Sequence, residues 1–285
     1  EGSVPITQSL KFFNKVVKDF DSLVTESLIS TEEMLSLLER RNSNIGHPSQ
    51  IGKGDFHFQR KYKDKVQVSV FEGGHERLPN LALSQMNGSK VLAIGDSNGA
   101  HEEGWVNQLK NQNFGDFIYN TCVSGNTIGF DNNGRKELNT LRNVDQYMES
   151  AVTELNGVDK IVIMLGTNDC KAVFDKEIKG VPKNLIRLIK KIKRHDVYIK
   201  HKPTIYIVSP PPSWSDEKMK KKYHGSANDI AWLIPRFNEI ALKEGCNFID
   251  TYGTLVPQWD NLTEDGIHLT LKGQVLIAEI ISEQF

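Results

Sequence analysis

Cysteine is scarce in this sequence, with three residues among 285, and the count is odd. Cys122, Cys170 and Cys246 lie in or beside apolar segments, where a free cysteine behaves as a small hydrophobic side chain. Neither a disulfide framework nor the paired spacing of a zinc motif is present. The sequence therefore predicts three free thiols and no metal site, and it indicates no role for Cys170.

Long apolar runs are also absent, and the formal net charge is only −1. No stretch approaches the ~20 apolar residues that a membrane-spanning helix needs. The 35 Lys and Arg residues nearly cancel the 36 Asp and Glu residues, so no overall basic field attracts nucleic acid. The hydrophobic content of 38% and charged content of 25% instead predict a soluble globular protein with a sizeable core.

An initial methionine is absent as well, because the chain begins Glu1-Gly2. The chain is either a processed protein or a trimmed one, so any signal peptide would be missing from it. On this basis we expect an extracytoplasmic location, either periplasmic or secreted.

Residues 89–285 alternate short apolar strands with amphipathic helices. Near-continuous apolar strands between such helices predict a parallel sheet covered on both faces, here a three-layer α/β/α sandwich with five strands. The expected strands are Lys90–Ile94, Phe117–Val123, Lys160–Leu165, Thr204–Ser209 and Asn247–Asp250, and the expected helices are about His101–Lys110, Glu137–Leu155, Lys183–Arg194, Asp229–Lys243 and Leu271–Ser282.

Polar blocks follow two of these strands, and a third block lies near the end of the chain. Gly95-Asp96-Ser97-Asn98 follows the first strand and Gly166-Thr167-Asn168-Asp169 follows the third. A serine becomes nucleophilic when a base takes its proton, and His268 is a candidate base. Asp265 stands three residues earlier, where it can orient the imidazole. Since ligands of parallel sheets bind beyond the carboxyl ends of the strands, we expect these blocks to meet there.

A further block, Val123-Ser124-Gly125-Asn126-Thr127, follows the second expected strand. In their order and spacing, these four blocks resemble those of the SGNH hydrolases, or GDSL-type esterases, and the resemblance covers residues 89–285. The resemblance implies a flavodoxin-like fold and a serine esterase without metal or organic cofactor. It implies that Ser97 is the nucleophile, with His268 as base and Asp265 as acid. It also implies an oxyanion hole formed by the N–H groups of Ser97 and Gly125 and the side chain of Asn168. Asn98 occupies the position of the leucine in the Gly-Asp-Ser-Leu motif after which the GDSL-type esterases are named.

A rival interpretation uses the same serine. Gly95-Asp96-Ser97-Asn98-Gly99 fits Gly-x-Ser-x-Gly, the nucleophile elbow of α/β-hydrolases. In that fold the acid and the histidine normally come from separate loops, whereas Asp265 and His268 are three residues apart. The elbow also follows earlier strands of its sheet, and the strand before Ser97 is the first of its domain. We therefore reject this interpretation.

Residues 1–88 are predicted to form a separate, mainly helical N-terminal extension. Apolar positions recur at helical spacing over 6–20. Ser30-Thr31-Glu32-Glu33 is typical of a capping box that opens a helix through Arg40. A strand is expected near Val66–Phe71.

The end of this region resembles the last part of an α/β-hydrolase domain, where a strand leads into a loop with the catalytic histidine. The resemblance rests on Gly2-Ser3-Val4-Pro5 before a helix and on the segment Phe71–Glu76, which contains His75. Residues 1–88 nevertheless contain no serine on a strand-to-helix turn. Two interpretations stay open: the tail or remnant of such a domain, and an ordinary helical extension packed on the main domain.

The expectation about the substrate rests on the loop after the fourth strand. It begins Pro210-Pro211-Pro212-Ser213-Trp214-Ser215 and runs to about Asn228. Asn98 and Trp214 are the candidate substrate-binding residues, and Trp214 either stacks on a sugar ring or packs the loop. No long apolar lid is visible for a lipid tail. We therefore expect a carbohydrate O-acetylesterase acting on a small-molecule or glycan ester. The alternatives are a lysophospholipase or thioesterase, and a catalytically silent carbohydrate-binding module.

Overall fold

The structure is a computed structural model that describes residues 56–62, 65–70, 88–113 and 116–285. The chain divides into two units, Glu1–Asn87 and Gly88–Phe285. In the first unit, β1 (Phe56–Tyr62) and β2 (Lys65–Val70) pair in antiparallel fashion. The strand expected near Val66–Phe71 falls on β2. The helices expected over 6–20 and 30–40, and the segment with His75, lie outside the described residues.

Five parallel strands form the sheet of the second unit. They are β3 (Lys90–Gly95), β4 (Phe117–Asn120), β5 (Lys160–Met164), β6 (Thr204–Val208) and β7 (Asn247–Ile249). Their spatial order is β4-β3-β5-β6-β7, and every neighbouring pair is parallel. After β3 the chain forms β4 on one side of it, and it then crosses to the other side of β3 to form β5. The topological switch point therefore lies between β3 and β5, where α/β sheets of this kind bind their ligands.

Helices connect the strands and cover the sheet. They are α1 (Ser97–Ala100), α2 (Trp105–Gln112), α3 (Thr140–Leu155), α4 (Val181–Arg194), α5 (Asp196–His201), α6 (Ser226–Lys243), α7 (Thr251–Leu255) and α8 (Leu271–Ser282). No helix among the described residues is both long enough and apolar enough to cross a membrane.

Successive strand residues point to opposite faces of the sheet, and each face has its own apolar core. On one face, buried side chains such as Ile161 and Ile163 pack against α3, α4 and α6. On the other face, Val162 and Met164 pack against α2, α7 and α8. The predicted three-layer sandwich with a five-stranded parallel sheet is thus confirmed.

The helix predicted over His101–Lys110 differs from the structure. Helix α1 ends before His101, whose backbone is extended with φ −63° and ψ 148°. The chain then turns tightly at Gly104, where a Cβ atom would lie 2.5 Å from the Asn98 carbonyl oxygen. Helix α2 begins only at Trp105. The turn separates the short helix with Ser97 from the longer helix behind it.

Candidate active site

Ser97 stands at the carboxyl end of β3, as the first residue of α1. The strand is almost completely buried, and its last residue, Gly95, has no room for a side chain because a Cβ atom would lie 2.8 Å from the sulfur of Cys122. Asp96 caps α1, and its Oδ1 accepts a hydrogen bond of 3.0 Å from the N–H of Asn98. The strand, the cap and the helix together hold Ser97 at the edge of the sheet.

The hydroxyl of Ser97 lies within hydrogen-bond distance of His268, although 171 residues separate them in sequence. The distance from Ser97 Oγ to His268 Nε2 is 3.0 Å. The other ring nitrogen, Nδ1, lies 2.8 Å from Asp265 Oδ2. The predicted nucleophile, base and acid therefore form a continuous hydrogen-bonded series.

Asp265 is held by the backbone of its own turn. Its Oδ1 accepts hydrogen bonds from the N–H of His268 at 2.8 Å and from the N–H of Ile267 at 3.0 Å. Partial burial alone would raise the pKa of Asp265, but these hydrogen bonds and the one from the His268 ring together lower it. The carboxylate therefore stays ionised to lower pH than an ordinary aspartate, which suits a partner of a protonated imidazole.

Asn98 is buried, with 1% of its surface exposed, and its side chain faces the histidine segment. Its Nδ2 donates to the carbonyl of Ile267 at 3.3 Å, and its Oδ1 accepts from the N–H of Leu269 at 2.9 Å. The same Oδ1 accepts from Gln274 Nε2 of α8 at 3.3 Å. Asn98 thus binds the backbone on both sides of His268, and its amide is engaged with protein groups where a substrate contact was expected.

Hydrogen bonds also join the blocks with Gly125 and Asn168 to β3. Asn126 Nδ2 donates to the carbonyl of Gly95 at 3.2 Å, and Asn168 Nδ2 donates to the carbonyl of Asn126 at 3.1 Å. Gly125 has φ +86°, a left-handed conformation that glycine adopts without strain. The three predicted oxyanion-hole blocks therefore meet at the carboxyl ends of neighbouring strands.

Two buried carboxyl groups support this edge of the sheet. Burial raises the pKa of Asp96 to about 6 and that of Asp169 to about 7. Both oxygens of Asp169 lie 3.0 Å from the N–H of Ile128, which fixes the segment that follows Gly125. Neither carboxyl group contacts Ser97 or His268 directly, so their role is to hold the loops.

Trp214 packs against the turn with His268. Its ring belongs to a small apolar cluster with Met219, Tyr223 and Ile267. A Cβ atom on Gly266, which has φ +80°, would lie 2.7 Å from this ring. Trp214 also lines a cleft of about 310 Å³, whose other lining residues are Ser213, Ser215, Lys218, Val256, Pro257, Gln258, Trp259, Asp260 and Asn261.

Sequence reasoning missed several residues that build the site. Asn126 and Asp169 lie inside the sequence blocks described above. Their polar side chains, next to Gly125 and Asn168, were the signal that could have marked them as part of the site. Gln274 is a buried polar residue of α8, and its place among the apolar positions that face the core was the available signal. Its Oε1 accepts from the N–H of Trp105 at 2.9 Å while its Nε2 donates to Asn98, which ties α8 to α1 and α2.

Comparisons with known proteins agree with this fold. The profile of the GDSL-like lipase/acylhydrolase family matches residues 88–276. The carbohydrate acetylesterase Est24 of Sinorhizobium meliloti is similar over 69% of this chain and 100% of its own, with 20% identity and a TM-score of 0.55. The native aryl esterase of M. smegmatis is similar over 69% of this chain and 97% of its own, with 21% identity and a TM-score of 0.56. At these identities the similarity concerns the fold. No curated protein matches the sequence.

Proposed function

The chain belongs to the GDSL-like lipase/acylhydrolase family, and from this premise we propose that Ser97, His268 and Asp265 are the catalytic triad of a serine esterase acting on acetylated carbohydrates. Its family and its structural neighbours make it a carboxylic ester hydrolase. The observation that carries the triad is the pair of hydrogen bonds, 2.8 Å and 3.0 Å, that join Asp265 through His268 to the hydroxyl of Ser97.

In the first step, Ser97 Oγ attacks the ester carbonyl carbon while His268 Nε2 takes the hydroxyl proton. The imidazolium that forms is stabilised by the ionised Asp265 at Nδ1. The carbonyl electron pair moves to oxygen and creates an oxyanion. The N–H groups of Ser97 and Gly125 and the side-chain amide of Asn168 donate hydrogen bonds to it, a contribution that in other hydrolases is worth 10²–10³ in rate for one donor.

In the second step, the tetrahedral intermediate collapses and the bond to the leaving alcohol breaks. His268 returns its proton to that alcohol oxygen, which leaves an acyl group on Ser97. A water molecule then gives its proton to His268 and attacks the acyl carbon. Release of the carboxylic acid, with return of the proton to Ser97 Oγ, restores the enzyme.

The cleft that Trp214 lines supports a glycan as substrate, although its lining includes none of the proposed triad or oxyanion-hole residues. Its wall combines the ring of Trp214 with hydroxyl, amide and charged side chains, and an aromatic face beside polar groups suits a sugar ring. The apolar cluster around Trp214 is small, and its members are in contact with one another. Two of the similar folds, both from Sinorhizobium meliloti, are named as carbohydrate acetylesterases.

The test is a panel of esters with purified wild-type and Ser97→Ala proteins. Ser97→Ala should fold normally and lose about 10⁴-fold or more of kcat, because triad residues act as a unit. A fluorophosphonate probe should label the wild type at Ser97 and leave the variant unlabelled. Near-normal turnover by Ser97→Ala would rule out the serine-esterase mechanism.

The same panel decides the substrate class. Each buried CH₂ adds about 0.8 kcal/mol where an apolar channel exists, so kcat/KM that falls from acetate to octanoate supports an acetylesterase. Trp214→Ala should lower activity on an acetylated glycan more than on nitrophenyl acetate, whereas Trp232→Ala on α6 should change both equally. Rates that climb with chain length, together with no acetate release from glycans, would point to a lysophospholipase or thioesterase.

A further inference from the structure

A lysine that the esterase mechanism does not use lies between the two halves of the site. Lys171 follows the short helix Asn168–Cys170. Its ammonium nitrogen lies 3.4 Å from Asn132 Oδ1, and Asn132 Nδ2 in turn donates to the carbonyl of Gly125 at 2.6 Å. Lys171 is thus linked through one buried amide to the backbone of the proposed oxyanion hole.

On its other side, Lys171 approaches the cluster that packs against the histidine turn. Its ammonium lies 5.6 Å from the centre of the Tyr223 ring, and that ring packs with Ile267, the neighbour of His268. The ammonium of Lys222 lies 5.0 Å from the same ring. The fold therefore brings two cations to one aromatic side chain next to the turn with His268.

These two cations have no ion-pair partner within the described part of the chain. Other lysines there, such as Lys191 and Lys243, contact carboxylates at 2.9 Å and 2.7 Å, but no carboxylate oxygen of a described residue lies within 4.0 Å of Lys171 or Lys222. Partial burial and the charge of Lys222 both lower the pKa of Lys171. An anion beside Lys171 would offset both of these effects.

The buried carboxyl groups nearby do not meet this need. Asp96 and Asp169 attract Lys171 from a distance, but each is buried and accepts hydrogen bonds from backbone N–H groups. Their pKa values, raised to about 6 and about 7, also reduce their negative charge near neutral pH. A negative group that approaches from the solvent side is the partner that the geometry leaves open.

We propose that Lys171, assisted by Lys222, forms a subsite for a carboxylate of the substrate, so that the preferred esters are O-acetyl groups on acidic sugars. This inference rests on the esterase function proposed above. In a uronic acid the carboxylate and the acetylated hydroxyls belong to the same ring. A cation next to the oxyanion hole can therefore bind the carboxylate while Ser97 faces the ester.

The experiment uses two substrates that differ only in charge. One is the mono-O-acetyl ester of methyl galactopyranosiduronic acid, and the other is the matched neutral uronamide. At neutral pH and low salt, the wild type should favour the acid in kcat/KM by roughly twofold to fivefold, the range expected for one partly exposed ion pair. The preference should shrink as sodium chloride screens the charges.

Variants assign the preference to the lysine. Lys171→Gln should remove the preference, and Lys171→Arg, which keeps the charge, should retain it. Lys243→Gln, with the same charge change at the end of α6, should behave as the wild type. Circular dichroism checks that each variant is folded. Retention of the full preference by a folded Lys171→Gln protein would overturn the proposal.

A binding measurement keeps the subsite testable apart from turnover. The same acid and amide without the acetyl group are titrated into the Ser97→Ala protein by calorimetry. Tighter binding of the acid, lost in Ser97→Ala with Lys171→Gln, supports the subsite, and equal binding of acid and amide refutes it. Failure of the wild type to hydrolyse any acetate would refute the proposed function instead, and the titration would still decide the subsite.

Discussion

At the scale of single residues, Asn98 is predicted to position the histidine. Asn98→Ala removes the hydrogen bonds to the backbone of Ile267 and Leu269, so His268 is no longer held at its place beside Ser97. We expect kcat for nitrophenyl acetate to fall by about 10-fold to 100-fold with KM within a few-fold, since small displacements of catalytic groups are costly. Steady-state kinetics measure both.

Asn143→Ala is the control for this prediction, because the side chain of Asn143 donates to the backbone carbonyls of Lys136 and Asn139, which lie just before α3. It should keep the wild-type kcat. If Asn98→Ala also kept its kcat, the hydrogen bonds to the histidine segment would have no part in catalysis.

The raised pKa of Asp169 predicts how the stability of the protein depends on pH. Its pKa is raised to about 7 by burial, whereas an unfolded aspartate has a pKa of about 3.9. The folded state therefore holds a proton that the unfolded state releases. This contribution to stability is complete below pH ~4 and is lost as the pH rises through about 7.

Asp169→Asn removes this titration while keeping one acceptor oxygen. The Tm of the wild type minus that of the variant should be largest near pH ~4 and fall by several degrees towards pH ~8. Thermal unfolding followed by circular dichroism measures it. A difference in Tm that stayed constant from pH ~4 to pH ~8 would contradict the burial argument.

At the scale of elements, the turn with Asp265 and His268 depends on a glycine. Gly266 has φ +80°, and a Cβ atom there would lie 2.7 Å from the Trp214 ring and from the Met219 methyl. Gly266→Ala should cost about 1–3 kcal/mol of the free energy of unfolding, from backbone strain alone. Because the turn must move, kcat should fall as well.

Chemical denaturation and steady-state kinetics test this prediction. Gly180→Ala is the matched control, since no atom lies within 4 Å of its added Cβ and its backbone is helical. That variant should be as stable and as active as the wild type. A Gly266→Ala protein with unchanged stability would show that the turn adapts without strain.

At the scale of the whole molecule, the unit Gly88–Phe285 contains both apolar cores and every proposed catalytic residue. A protein consisting of residues 88–285 should therefore label with fluorophosphonate and hydrolyse nitrophenyl acetate within a few-fold of the full chain. His75→Ala in the full chain should also retain activity within a few-fold. An inactive His75→Ala protein would show that the base has been assigned wrongly.

The five strands of the parallel sheet show how much of the fold can be predicted from local sequence. All five were predicted with the observed first residue, and α8 was predicted with both of its ends. These strands are short apolar runs between polar or glycine residues, and β5 and β6 are also dense in β-branched residues, which is local information. The break before Trp105 was missed, because it depends on the close approach of Gly104 to the carbonyl of Asn98.

By itself, the sequence determined the fold class, the order of the polar blocks and the residue types available for chemistry. The tertiary structure alone decided which of them meet. Ser97 and His268 are 171 residues apart, and only the strand order and the packing of α8 bring their atoms to 3.0 Å. The same packing turns the amide of Asn98 towards the histidine segment and leaves Lys171 and Lys222 without a carboxylate partner among the residues that the structure describes. Such contacts depend on distances between elements, which no local pattern of residues encodes.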